Sequence, residues 1–174
     1  MKQIMWAAAV LVTPLAAAQA DEPARLPATL RQLEGCWQGS GEVMGTPVTT
    51  TAQAHPVALG AILALETSSV ATGDATDRYG AHLAFGGGKG ADEVTGFWSD
   101  SFGGSMTATG TGRFEPGGFE IGYRYSDAEF VNRWQIDDAR LGWVIVARDG
   151  KGVEKPFASY TLQRVSCPVA PANP

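Results

Sequence analysis

The chain has 174 residues, of which 44% are hydrophobic and 18% charged, with 22 glycines, two histidines, two cysteines and a formal net charge of −5. That acidic balance, with no stretch concentrating Lys and Arg, gives no electrostatic basis for nucleic-acid or anionic-lipid binding. The few histidines and cysteines are also too far apart for a compact zinc set, so no metal is expected.

The first predicted element is an export signal over residues 1–20. Lys2 supplies the positive start, Ile4 to Ala18 an apolar stretch broken by Thr13 and Pro14, and Ala18-Gln19-Ala20 a small-x-small cleavage pattern. An uncleaved anchor is the competing reading, but the apolar run is interrupted and shorter than the roughly 20 residues a bilayer span needs. The mature chain is expected to begin near Asp21, outside the cytoplasm, periplasmic or secreted, and not inserted in a membrane. Residues 21–33 read as an N-terminal segment with a short helix, on which Leu26, Leu30 and Leu33 share a side and Pro27 fits only near the beginning.

Residues 34–167 read as strands of a single domain. Candidates at 35–44, 47–54, 61–70, 78–86, 92–100 and 105–114 precede the clearest alternation, in which Phe119, Ile121, Tyr123 and Tyr125 oppose Glu120, Gly122 and Arg124. Phe130, Asn132, Trp134 and Ile136 continue it, then Leu141, Trp143 and Ile145, with Val144 and Val146 making that strand apolar on both faces. The short, turn-competent links at 115–118, 126–128, 137–140 and 149–152 impose antiparallel neighbours. A last strand near 156–165 brings the count to about ten, and residues 168–174 form a Pro-rich, flexible tail. The fold class expected is all-β: one antiparallel up-and-down closed β-barrel of about ten strands, with a short N-terminal helix.

Closure makes the first and last strands neighbours. Cys36 can then pair with Cys167 in an oxidising compartment, the alternative being two buried free thiols. Trp37 and Arg164 can meet at the same seam, the guanidinium lying on the indole as a structural closure of the barrel; the alternative is a core tryptophan with a solvent-facing arginine. A membrane barrel would need an outward apolar band with aromatic girdles, whereas the positions outside here include Glu120, Arg124, Arg133 and Gln135.

Catalytic patterns are mostly absent. Gly86-Gly87-Gly88-Lys89-Gly90 matches a phosphate loop in composition only, and no nucleophile elbow is present. The candidates for ligand contact are Tyr79, Trp98, Asp100, Tyr123, Tyr125 and Trp134, whose aromatic bodies can line a cavity while their polar tips orient a guest. His82 joins them if its face is the lumen and is otherwise a surface histidine. Asp100, ahead of Ser101-Phe102-Gly103-Gly104, can equally serve as the acceptor that shapes a turn.

Gly35-Cys36-Trp37 with the distant Arg164 resembles the Gly-x-Trp and closing-arginine pattern of the lipocalins and the wider calycin superfamily. Gly96-Phe97-Trp98-Ser99-Asp100-Ser101, followed by Met106 to Gly112, is similar to a lipocalin-like family of bacterial exported proteins in which a Trp-x-Asp-Ser element precedes a hairpin. The resemblance covers roughly residues 30–165 and implies a calycin-type barrel with an internal cavity; it brings no reaction with it. Gly35, Trp37, Gly39 and Gly41 are also similar to the opening of the nitrobindin-like haem barrels, whose iron is held by a histidine near the carboxyl end of the barrel. This chain has no histidine after His82, and His55 stands beside Pro56 in an expected turn, so no cofactor is expected. Noncovalent binding of a small hydrophobic or amphipathic molecule is the function expected. A filled barrel acting as an envelope interaction or structural module, its protein partner unknown, is the alternative, and an enzyme using the same cavity is a second.

Overall fold

The computed structural model describes residues 22–126 and 128–168. The export signal expected over residues 1–20, Asp127 of one expected turn and most of the tail expected over 168–174 lie outside the described residues. A single-turn helix, α1 (Ala28–Arg31), follows Pro27 and buries Leu30 together with the flanking Leu26 and Leu33. Pro27 stands ahead of its first turn, where a missing N–H removes no helical hydrogen bond.

Ten strands come next: β1 (Gly35–Val43), β2 (Thr46–Val57), β3 (Ile62–Ala71), β4 (Asp74–Gly87), β5 (Glu93–Asp100), β6 (Ala108–Glu115), β7 (Gly118–Arg124), β8 (Glu129–Ile136), β9 (Arg140–Arg148) and β10 (Glu154–Val165). Every strand pairs antiparallel with its sequence neighbours, and β1 pairs with β10, Trp37 opposite Arg164, so the sheet closes into a barrel without an unpaired edge. The links are too short for any other neighbour.

The turn expected at His55-Pro56 is instead part of β2, with Pro56 opposite Leu63. Because β1 starts opposite Ala54, the residues beyond it have a strand on one side only, a position that tolerates the missing proline N–H.

Alternation fills the inside with Leu63, Leu65, Leu83, Phe85, Phe119, Ile121, Trp134, Leu141, Trp143 and Leu162, each 2% exposed or less. Charge lies outside. Arg133 donates to Glu120 at 2.7 Å and, through both terminal nitrogens, to Glu154 at 2.7 and 2.9 Å, while Arg148 reaches Glu154 and Glu129. This network ties β7, β8, β9 and β10 across their outer faces. Hydrogen bonds from Arg133 and Arg148 hold the Glu154 carboxyl down at about 2, below its ordinary 4.5. A depressed carboxyl adds stability above its unfolded value and loses it as pH falls through the folded one. Urea midpoints of the native protein and Glu154→Gln should therefore differ by a constant amount above about pH 4.5 and converge near pH 2.

The connections alternate between two ends. At one, the floor, lie α1, the β2–β3, β4–β5, β6–β7 and β8–β9 links, the start of β1 and the end of β10; Leu26 N–H donates to Gly60 C=O there at 3.1 Å. At the other, the mouth, lie the β1–β2, β3–β4, β5–β6, β7–β8 and β9–β10 links.

Candidate functional site

The floor is locked by the residues expected at the seam. Cys36 and Cys167 form a disulfide, with Cα atoms 5.1 Å apart. The Arg164 guanidinium lies 4.1 Å from the centroid of the Trp37 ring, and its three nitrogens donate to the backbone carbonyls of Gln32 (2.7 Å), Glu34 (2.5 Å) and Asp138 (2.8 Å). Gly35 has φ +114°, and a Cβ there would stand 2.9 Å from the Arg164 Nη1 atom, so glycine is required by both backbone and neighbour. Trp37 Nε1–H donates to Leu33 C=O at 2.8 Å, tying the helix segment to β1.

Above the floor the lumen is occupied by interlocking rings. Phe119, Trp134, Trp143 and Tyr160 stack in sequence with centroids 5.6, 4.4 and 4.6 Å apart, and Phe85 meets Phe119 and Trp134 edge-on. Trp98 packs against Tyr123 at 5.5 Å and Trp143 at 6.0 Å. Tyr123 covers two of the small residues of β5 and β6. A Cβ on Gly96 would stand 2.6 Å from Tyr123 Oη, and one on Gly110 2.7 Å from the same ring, so Tyr123 fills the space they open. Two depressions stand out, of about 440 Å³ beside the β3–β4 turn and about 190 Å³ on the outer wall by Glu120, Glu129 and Arg148, and neither includes a ring of the column.

The upper lumen is polar. Asp100, the last residue of β5, accepts from Phe102 N–H at 2.9 Å through Oδ1 and from Tyr79 O–H at 3.1 Å and Trp98 Nε1–H at 3.2 Å through Oδ2. One carboxylate therefore shapes the turn and orients two lumen side chains together. Burial first, then the Asp100 charge, raises the Tyr79 phenol above its ordinary range; burial raises Tyr123 likewise and pushes Tyr160 up to about 12. Tyr125 O–H donates to Met106 C=O at 3.0 Å, and its ring begins a cluster with Phe130 and Phe157 at 5.6 and 4.9 Å. Around the rim Met44, Phe102, Met106 and Val153 are exposed, Met44 at 77% and Phe102 at 74%.

His82 is corrected to the outer wall. Its neighbours Ala81 and Leu83 point inward, so a period of two sends the imidazole out, where it meets Glu66. His55 is exposed too, so neither imidazole enters the lumen. Of the other candidates, the structure brings Tyr79, Trp98, Asp100 and Tyr125 to the mouth and puts Tyr123 beneath Trp98; Trp134 stands in the column.

Sequence reasoning missed three polar contributors. Asn132, 1% exposed, accepts from Trp143 Nε1–H at 2.9 Å and donates to Phe130 C=O at 3.2 Å. Thr50 and Ser69 share a buried hydroxyl contact of 2.8 Å. Asn132 could have been found from its phase with Phe130, Trp134 and Ile136. Thr50 and Ser69 sit in Thr- and Ser-rich runs, where alternation carries no polarity contrast.

These features define a closed ten-stranded antiparallel β-barrel with a sealed floor and a polar, aromatic mouth. The crystal structure of Rv2717c from M. tuberculosis is similar, with a TM-score of 0.63 and 14% identity over 80% of this chain and 99% of that one. At that identity the likeness concerns the fold. No protein-family model matches the chain, and no curated protein does either.

Proposed function

We propose that the protein is an exported, lipocalin-like barrel that holds a small hydrophobic or amphipathic molecule noncovalently in the upper lumen. The observation that carries this reading is the buried hydroxyl of Tyr123, which, like Trp134 Nε1 in the ring column, has no partner among the described residues. A buried polar atom left unpaired costs about 1–3 kcal/mol, so a phenylalanine would serve a purely structural core better than Tyr123. The exposed apolar rim and the mouth aromatics supply surface that a guest can desolvate, at about 25 cal/mol per Å² before ordering costs. Entry requires the mouth side chains to move aside, which the half-buried Tyr125 and the exposed Phe102 can do. The disulfide suits an oxidising compartment, and among the described residues no helix is long and apolar enough to cross a membrane.

The test is titration with N-phenyl-1-naphthylamine, an uncharged apolar fluorophore, alongside native mass spectrometry of freshly isolated protein. Saturable one-to-one binding or a copurified small molecule is expected. Tyr123→Phe should raise stability by about 1 kcal/mol while weakening the probe several-fold. No uptake and a bare chain by mass would end this reading. They would favour the second one, a rigid filled barrel acting through its outer surface, for which the continuous ring packing speaks.

A further inference from the structure

We infer that the upper lumen selects guests with a cationic or donor head group, amines above all, and rejects carboxylates. This deepens the lumen-binding reading and rests on it. Asp100 is the carboxylate of the mouth interior, and its three donors, the Tyr79 hydroxyl, the Trp98 indole and the Phe102 amide, are all neutral. Among the described residues no ion pair involves it. Arg133 and Arg148 are engaged in the outer network and Arg164 at the floor, while Arg78, Arg113, Arg124, Lys151 and Lys155 are exposed to solvent.

An anionic head group brought beside Asp100 would meet a negative charge that no ion pair offsets among the described residues. An ammonium would meet a carboxylate whose two oxygens are already oriented by neutral donors and retain lone pairs for it. A second feature points to a guest independently of Asp100. The Tyr123 hydroxyl, without a partner among the described residues, is buried beside Gly96 with its ring against Trp98, the residue that donates to Asp100. A phenol both donates and accepts, so it can take a second polar atom of an amine or alcohol guest.

Isothermal titration of the full mature protein with octylamine, 1-octanol and octanoate separates the possibilities, because the three share one tail. Octylamine should bind at least about tenfold more tightly than octanoate and measurably more tightly than octanol. Its lead should shrink as salt rises. Asp100→Asn, which keeps an acceptor for the Phe102 amide, should abolish that lead. Retained octanol binding by the same variant guards against a folding defect, and Asp92→Asn, which removes an exposed charge at the floor, should preserve the lead. Octanoate or octanol binding as well as octylamine, or an amine preference that survives Asp100→Asn, would overturn the inference while leaving lumen binding intact. Failure of all three tails together with N-phenyl-1-naphthylamine would overturn lumen binding itself.

Discussion

Removing the disulfide is expected to lower stability by about 3–5 kcal/mol. Cys36 and Cys167 are 131 residues apart, so the bridge closes almost the whole described chain into one loop. In the chain-entropy model a loop of this length restrains the unfolded ensemble by roughly 5 kcal/mol, and native-state strain takes some of that back. The effect therefore arises in the unfolded chain. Urea unfolding of Cys36→Ser/Cys167→Ser against the oxidised protein measures it, and the variant should also show a larger denaturant slope because its unfolded state is more expanded. A loss under about 1 kcal/mol would mean that the unfolded chain gains little freedom when the bridge is cut. The native barrel should persist, because Arg164 still holds the Gln32, Glu34 and Asp138 carbonyls and β1 still pairs with β10.

Trp143→Ala should cost about 4 kcal/mol, for a reason that lies in the folded state. Its ring is sandwiched between Trp134 at 4.4 Å and Tyr160 at 4.6 Å, and truncating a buried tryptophan costs about 3–5 kcal/mol. The Asn132 oxygen would also lose the indole donor that satisfies it. Thermal or urea unfolding checks the stability. The same variant should bind N-phenyl-1-naphthylamine more strongly, because it opens space between two aromatic faces. Trp143→Phe keeps most of the packing and removes the indole N–H, so its own loss against the native protein reports the share carried by the Asn132 bond, and the difference between the two variants reports the packing.

The two variants also mark where reading the residues succeeds. The inward phase of Phe119, Ile121 and Tyr123 against Glu120 and Arg124 is visible in the chain, because a strand turns its side chains over at every residue. So are the helix face made by Leu26, Leu30 and Leu33 and the meeting of both cysteines at one seam, since short links leave a meander few ways to close. His82 was ambiguous because both faces of Gly80–Ala84 carry small residues, and only the pairing with β3 and β5 sets its phase. His55 and Pro56 read as a turn because a proline in a central strand would break a ladder, and the staggered start of β1 is a property of the neighbour.

The sequence by itself determined a count of about ten strands, their antiparallel order, the polarity of the two wall faces and the meeting of both cysteines at one seam. Each follows from local periodicity or from the length of a link. Tertiary structure alone decided that rings stack in a column through the lumen, that Asp100 gathers Tyr79, Trp98 and Phe102 at the mouth, and that Tyr123 and Trp134 keep polar atoms without partners among the described residues. Those outcomes depend on side chains converging from opposite walls. How much space they leave is set by ten strands at once, and the pattern of any one strand contains only its own share.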